Sequence, residues 1–118
     1  YQIGQRDFGE NYLQEALHKQ IDLQDLSDIR WHFIGNIQSK KIKDLVGKFD
    51  TLQSVGSTEH LLKIEEMCIK KNVHQRVFLQ VNISQEATKG GFDEAEILSL
   101  ATIIKSLNFV KIIGLMTM

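Results

Sequence analysis

Asn11 stands at the end of the first candidate strand, and its side chain could bind a ligand there. It follows Phe8-Gly9-Glu10, and its amide could donate a hydrogen bond to a ligand oxygen while Gly9 lets the backbone approach closely. Asparagine also caps helices, and a helical pattern begins directly afterwards. The spacing alone favours the capping role, and ligand binding is the alternative.

His32 is a polar residue inside the apolar run Trp31-His32-Phe33-Ile34. Side chains of a strand alternate between its two faces, so His32 points away from Trp31 and Phe33. It is either a polar group of a ligand pocket or a histidine whose hydrogen bonds are satisfied in the core, which is the commoner role of a lone histidine in a strand. The other histidines are scattered along the chain: His18, His60 and His74. None stands at metal-ligand spacing, so the sequence predicts no metal site.

The turn Gly35-Asn36-Ile37-Gln38-Ser39 leads into three lysines, Lys40, Lys41 and Lys43. If a helix begins here, its first backbone N–H groups and these cations form a site for an anion. The alternative is a solvated basic helix start, but cations at a helix N-terminus oppose its dipole at a cost of up to about 1 kcal/mol. This conflict mildly favours a bound or neighbouring anion.

Three further polar residues alternate with apolar neighbours in candidate strands: Ser54, Gln80 and Asn82. A strand with one solvated face would explain them, but parallel sheets are ordinarily covered on both faces. Polar side chains near the carboxyl ends of such strands therefore favour a ligand pocket. Met116, near the end of the chain, is of a residue type that usually fills gaps in a core.

Apolar, β-branched runs alternate with amphipathic helical patterns along the whole chain. The runs predict five short strands, at residues 6–9, 30–34, 51–55, 76–83 and 110–116. Helices are predicted after each of the first four strands, with Ser39 capping the second, Ser57 or Thr58 the third, and Asp93 with Glu96 forming a capping box before the fourth. The apolar faces of the last three helices are Ile42, Leu45, Val46 and Phe49; Leu61, Ile64 and Cys68; and Ile97, Leu100, Ala101, Ile104 and Leu107.

This repeated strand–helix unit predicts a parallel sheet, which two architectures can provide. A doubly wound five-stranded domain would be nearly complete at 118 residues. A (β/α)8 barrel needs about 200–250 residues, so the chain would supply about five consecutive strands of eight. The chain opens on Tyr1 and stops within the strand pattern at Met118. We expect an internal piece of a longer protein, which favours the barrel.

Composition excludes several function classes. The net charge of −1 gives no electrostatic footprint for nucleic acid or an anionic membrane. No apolar run is long enough to span a bilayer, and no signal-peptide pattern opens the chain. Cys68 is the single cysteine, which fits a reducing compartment, so we expect a cytoplasmic protein without nucleic-acid or membrane partners. Dinucleotide, P-loop and nucleophile-elbow motifs are absent from the sequence.

Several motifs occur in a fixed order over essentially all 118 residues. They are Phe8-Gly9-Glu10-Asn11-Tyr12, Gln14-Glu15, Trp31-His32-Phe33-Ile34-Gly35 with Gln38 and Lys41, Ser54-Val55, Gln80-Val81-Asn82-Ile83, Lys89-Gly90 or Gly91, and Gly114-Leu115-Met116-Thr117-Met118. With this set the chain resembles the pyridoxal-phosphate homeostasis protein family, single-domain relatives of the N-terminal barrel of alanine racemase. Each motif alone is weak, but the ordered set is specific. One departure is Lys40, where many relatives have asparagine.

The resemblance implies a (β/α)8 TIM barrel of the alanine racemase N-terminal type, of which this chain looks like strands two to six with their helices. Residues 1–118 would be part of a single barrel domain that binds pyridoxal 5′-phosphate (PLP) at the carboxyl ends of its strands. The Schiff-base lysine is expected upstream of the chain and the phosphate-binding loops downstream, so no lysine here is assigned that role. The cofactor-binding residues implied by the resemblance are Asn11, His32, Ser54, Asn82 and Met116.

For function, the resemblance implies reversible holding of PLP in intracellular vitamin B6 homeostasis, with no catalytic residue. The implied partners are PLP and small amino or keto acids, and the full-length protein is expected to be a monomer. One alternative is a PLP-dependent enzyme resembling an amino-acid racemase. The other is a complete doubly wound module for phosphate binding or signalling.

Overall fold

The computed structural model describes residues 5–82 and 91–117. Its strands are β1 (Asp7–Glu10), β2 (Arg30–Phe33), β3 (Thr51–Val55), β4 (Gln75–Val81) and β5 (Val110–Thr117). Its helices are α1 (Leu13–Asp22), α2 (Ile42–Leu45), which follows a 3₁₀ turn at Ser39–Lys41, α3 (Thr58–Lys71) and α4 (Glu94–Ser106). The predicted alternation of strands and helices is thus confirmed. Ile83 and the glycine-containing loop with Lys89 lie outside the described residues.

All five strands are parallel, and they lie side by side in the order in which they occur along the chain. In a doubly wound sheet the later strands are added on the other side of the first strand, so the spatial order of the strands differs from their order in the sequence. A barrel adds each new strand beside the previous one. The strand order therefore confirms the barrel type of α/β fold and contradicts the doubly wound alternative. The described strands form an open sheet with β1 and β5 at its edges.

The core lies between the helices and one face of this sheet. The apolar residues predicted for the second helix are all buried, as are those of the third: Ile42, Leu45, Val46 and Phe49; Leu61, Ile64 and Cys68. From the sheet they meet Phe33, Leu52 and Val77. The predicted face of α4 is only partly correct, since Leu100 is buried whereas Ala101 is exposed. The physical reason is that α4 lies beside the edge of the described sheet, with no further described element over it.

Burial also decides the role of the single cysteine. Cys68 is fully buried. Burial, and next the Glu65 carboxylate, raise the pKa of the Cys68 thiol to about 11. The thiol is therefore protonated near neutral pH and acts as a packing group.

The predicted helix starts are confirmed for α3 and α4. The Ser57 hydroxyl oxygen accepts a hydrogen bond of 3.1 Å from the backbone N–H of His60. Asp93 and Glu96 form the predicted capping box, each side chain accepting from the other residue's backbone N–H at 2.8 and 3.2 Å. These caps satisfy N–H groups that have no partner inside the helix.

The predicted helix over residues 39–49 is wrong in extent. Ser39 does not cap it: Gln38 precedes the 3₁₀ turn, and the Ser39 hydroxyl lies 3.1 Å from Nε2 of His60. The helical part of α2 ends at Leu45: Val46 already has an extended backbone, with a ψ of 127°, and Gly47 then adopts a φ of 85°, outside the right-handed helical region. Asn11 does not cap α1 either, since Tyr12 occupies the N-cap position and no side chain caps it. In the described residues no helix has the length and apolarity needed to cross a membrane.

Candidate functional site

The sheet face opposite the helices carries a chain of polar side chains. The imidazole of His32 places Nδ1 2.6 Å from the Thr51 hydroxyl and Nε2 2.8 Å from the Asp7 carboxylate. Asp7 also accepts two hydrogen bonds of 2.7 Å from the Arg30 guanidinium. Strand register brings these residues together, since Asp7 lies opposite Arg30 and His32 opposite Thr51. The result is an ordered polar chain from the start of β1 to β3.

Electrostatics in this chain follow from the same contacts. The Arg30 guanidinium, and next the His32 imidazole, hold the pKa of the Asp7 carboxyl well below its usual range. In turn the Asp7 carboxylate raises the pKa of Arg30. Both ring nitrogens of His32 have protein partners, so its geometry is that of a satisfied histidine. Its contact with a cofactor stays a prediction.

Asn11 lies at the carboxyl end of β1, in a loop that contacts the loop after β2. A β-carbon on Gly35 would overlap the backbone carbonyl of Asn11, so only glycine permits this approach. The two loops enclose a cleft of about 310 Å³, hereafter the β1–β2 cleft. The residues lining it include Asn11, Tyr12, Phe33, Asn36, Gln38 and Lys41. Asn11 is exposed, and its side chain makes no hydrogen bond to another described residue.

Ser54 lies beside a second cleft, of about 280 Å³, at the carboxyl ends of β3 and β4. Its lining includes Asn36, Ser54, Ser57, His60 and Gln80. Leu52 lies opposite Val77, and Val55 lies opposite Leu79. Between these pairs, two residues of β3, Gln53 and Ser54, face one residue of β4, Phe78. Such a bulge re-aims side chains locally. The buried Ser54 hydroxyl donates a hydrogen bond of 3.1 Å to the carbonyl of Ile34 at the end of β2.

Met116 lies opposite Gln80 where β5 pairs with β4. The partner of Gly114 is Phe78, whose ring would clash with a β-carbon at Gly114, so the aromatic ring covers the glycine. Asn82 follows β4 directly, and its backbone N–H donates to the carbonyl of Phe92 at 2.8 Å. Asn82 and Met116 therefore both lie at the carboxyl ends of their strands.

The candidate residues of the sequence are thus spread along one end of the sheet. Asn11, Ser54, Asn82 and Met116 lie at or beside the carboxyl ends of β1, β3, β4 and β5, while His32 lies deeper, in mid-strand. Sequence reasoning missed Asp7 and Thr51 as the partners of His32. Their positions in the first and third strands were visible, but the register that joins them was not.

The three lysines after Gly35 do not gather around one anion site. Lys41 lines the β1–β2 cleft, whereas Lys40 and Lys43 line another depression beside α3. The 3₁₀ turn that follows Gln38 is also too short to have a useful dipole. In residues 5–82 and 91–117, no three His, Cys, Asp or Glu side chains come together as metal ligands do.

Sequence comparison gives relatives over the whole chain. A protein of Aquifex aeolicus named pyridoxal phosphate homeostasis protein is 38% identical over 117 residues, covering 99% of this chain and 51% of the relative. A protein of the same name from Pseudomonas aeruginosa is 42% identical over 113 residues, covering 96% of this chain and 49% of the relative. The chain spans about half the length of the curated relatives it matches.

Comparison with solved structures gives neighbours of the same family and of the same fold. PipY of Synechococcus elongatus without PLP superposes with a TM-score of 0.94 at 36% identity, covering 99% of this chain and 54% of PipY. PipY with PLP bound superposes with a TM-score of 0.90 at 34% identity, covering 100% of this chain and 54% of PipY. An alanine racemase of Clostridium difficile gives 0.71 at 18% identity, covering 98% of this chain and 29% of the racemase, which is a likeness of fold alone.

The family described as alanine racemase, N-terminal domain, matches residues 1–118. Its barrel requires parallel strands laid down in sequence order, which is the order seen here. The chain therefore belongs to the alanine racemase N-terminal domain family.

Proposed function

We propose that this protein binds PLP and holds it reversibly, as a component of intracellular PLP homeostasis. The observation that carries the proposal is the superposition of the whole chain on PipY with PLP bound, at a TM-score of 0.90 and 34% identity. The names of the Aquifex and Pseudomonas relatives support the same role.

The chain's own residues fit such a cofactor at the carboxyl ends of the strands. When bound, PLP supplies a reactive aldehyde and an electron-withdrawing ring. The Asn11 amide is exposed and not used as a helix cap, so it is available to hold a polar substituent of the cofactor. Met116 offers a polarisable thioether beside Gln80.

The remaining proposed contacts differ in how directly they would act. Asn82 would reach the cofactor from the end of β4. The Ser54 hydroxyl donates to the carbonyl of Ile34, so it would shape the pocket by fixing the end of β2. Asp7 and Thr51 hold the imidazole of His32 at both nitrogens, so His32 would present its ring to the cofactor in one fixed orientation.

Holding rather than catalysis is the second part of the proposal. The relatives are named for homeostasis of the cofactor, not for a reaction. We further propose that residues 1–118 belong to one PLP-binding barrel domain and that small amino or keto acids are additional ligands. The single buried cysteine is consistent with a cytoplasmic location, and we propose that the full-length protein is a monomer.

The test is retention of PLP by the full-length protein after dialysis, read from the visible absorbance of the bound cofactor. Asn11→Ala should weaken PLP binding by about fivefold, as expected for one lost hydrogen bond of about 1 kcal/mol. Gln24→Ala is the matched control, because Gln24 is exposed in the loop before β2, at the opposite end of the strands. Failure of the unmodified protein to retain PLP contradicts the proposal.

The racemase alternative is tested on the same preparation. L-Alanine is incubated with the PLP-loaded protein and the appearance of D-alanine is measured. We expect no racemisation above that of free PLP. Turnover that depends on the protein would replace holding with catalysis.

A further inference from the structure

The β1–β2 cleft has an apolar floor and a polar rim. Phe33 and Leu45 contribute apolar surface, and the amides of Asn11, Asn36 and Gln38 line the same cavity of about 310 Å³. That volume is at the lower end of the range in which proteins bind small molecules, about 300–1,000 Å³. The cleft therefore suits a compact ligand with one polar end.

Lys41 gives this cleft a positive charge with no partner among the described residues. Its side chain is half-buried, and it makes no ion pair with any described carboxylate. Lys19, Lys63 and Lys70, by contrast, each pair with a glutamate. No described acidic residue lines the cleft. An ammonium that has no described counter-charge and shares a cleft with amide donors attracts an anion.

The loops that carry these groups are held together before any ligand arrives. Gly35 lies against the backbone of Asn11, and the N–H of Ile34 donates to the carbonyl of Glu10 at 2.8 Å. The N–H of Lys41 donates to the carbonyl of Gln38, also at 2.8 Å. Preorganised donors lose less entropy when they bind a ligand.

We infer that the β1–β2 cleft binds the carboxylate of a small aliphatic acid, with the Lys41 ammonium and side-chain amides of the rim as donors and the apolar floor receiving the carbon chain. One positive charge and planar amide donors match a planar monoanion. A phosphate dianion would require more charge or a row of helix N–H groups, and only a 3₁₀ turn follows Gln38 here. This inference deepens the proposed function, because it gives the small amino or keto acids a site on this chain. Asn11 also lines the cleft, so the site adjoins the proposed cofactor contacts, whereas Lys41 and Gln38 are not among those contacts.

The test is a titration of the full-length protein with sodium propionate, followed by NMR of the side-chain amides. We expect the side-chain amide resonances of Asn36 and Gln38 to shift when propionate is added. They should not shift with propionamide, which is matched in size but uncharged. Lys41→Met should weaken propionate binding about tenfold, the effect of one lost charge-assisted hydrogen bond. The matched control is Lys48→Met, because Lys48 is exposed and does not line this cleft.

Three results would overturn the inference: no movement with propionate, equal movement with propionamide, or unchanged affinity in Lys41→Met. Inorganic phosphate moving the same resonances at lower concentration would overturn the choice of a carboxylate. PLP absorbance of the same samples separates the two proposals. If Lys41→Met retains PLP but no longer binds propionate, the protein has two sites. If the unmodified protein binds propionate but never retains PLP, only the proposed function is refuted.

Discussion

The backbone carbonyl of Asn11 occupies the space that a β-carbon on Gly35 would need. The contact joins the loop after β1 to the loop after β2, and both loops carry proposed ligand contacts. A larger residue at position 35 must therefore separate them.

We expect Gly35→Ala to lower the free energy of unfolding by about 1–3 kcal/mol, the usual cost of forcing extra volume against backbone. The measurement is the midpoint of urea unfolding. Gly9→Ala is the control, because a β-carbon there meets only the flexible end of Ile34, at 3.2 Å. Its effect should be clearly smaller. Equal effects would show that the contact with Asn11 does not constrain the loops.

The ion pair of Asp7 predicts a dependence of stability on pH. Arg30, and next His32, hold the pKa of Asp7 below its ordinary value in the folded chain. A carboxyl whose pKa is lower in the folded state stabilises it above the unfolded pKa, about 3.9, and loses that effect as the pH falls further. The difference in unfolding midpoint between the unmodified protein and Asp7→Asn should thus be largest near about pH 7 and shrink below about pH 4.

The control for Asp7 is the same comparison in an Arg30→Met background. Removing the guanidinium removes the main cause of the lowered pKa, so the pH dependence of the difference should weaken. A difference that is the same at neutral and acidic pH would contradict the prediction.

How far the sequence predicts this structure depends on how local each signal is. The strand at Thr51–Val55 and the capping box at Asp93 rest on patterns within a few residues, and both are found where expected. Sheet order is not local, because the same strand–helix units fit a barrel and a doubly wound sheet. The choice between them came from signals other than the local pattern, chiefly the family resemblance.

The errors come from long-range contacts. The apolar pattern at residues 42–49 predicted burial correctly, yet the helix stops early. The Gly47 N–H donates to the side chain of Gln75, 28 residues away, whose amide also donates to the carbonyl of Phe49. No local sequence pattern predicts that Gln75 is almost fully buried. In the same way, the partners of His32 come from two neighbouring strands and depend on register.

Glu65 of α3 determines how β5 begins. Its buried carboxylate accepts hydrogen bonds from the backbone N–H groups of Phe109 and Val110, both at 2.9 Å, and of Asn108 at 3.1 Å. Burial alone would raise its pKa, but these N–H groups, with His74, hold the pKa below its ordinary value. A charged acceptor is therefore kept at the start of the strand.

We expect Glu65→Gln to lower the free energy of unfolding by about 1–3 kcal/mol, because the amide offers only one acceptor oxygen to three backbone N–H donors, of which that of Val110 is buried. The control is the neighbouring Glu66→Gln, which removes only an exposed pair with Lys70 and should cost at most about 0.5 kcal/mol. Urea unfolding measures both variants. If the two lose the same stability, the carboxylate does not anchor β5.

Met116 and Leu115 are neighbours whose register places them on opposite faces of the sheet. Met116 lies opposite Gln80, while Leu115 lies opposite Leu79, on the side of α4. We propose Met116 as a cofactor contact, so Met116→Ala should weaken PLP binding by the full-length protein. Removing about two methylene equivalents of contact corresponds to roughly tenfold in affinity. Absorbance titration with PLP measures it.

Leu115→Ala removes a similar volume from the other face. Because Leu115 is 60% exposed, stability should change little, and the affinity of the folded fraction for PLP should stay the same since its side chain faces α4 and not the opposite face. Circular dichroism establishes the folded fraction of each variant before titration. Equal loss of affinity in both variants would mean that strand position, not the face of β5, governs binding, and Met116 would then have no direct contact with the cofactor.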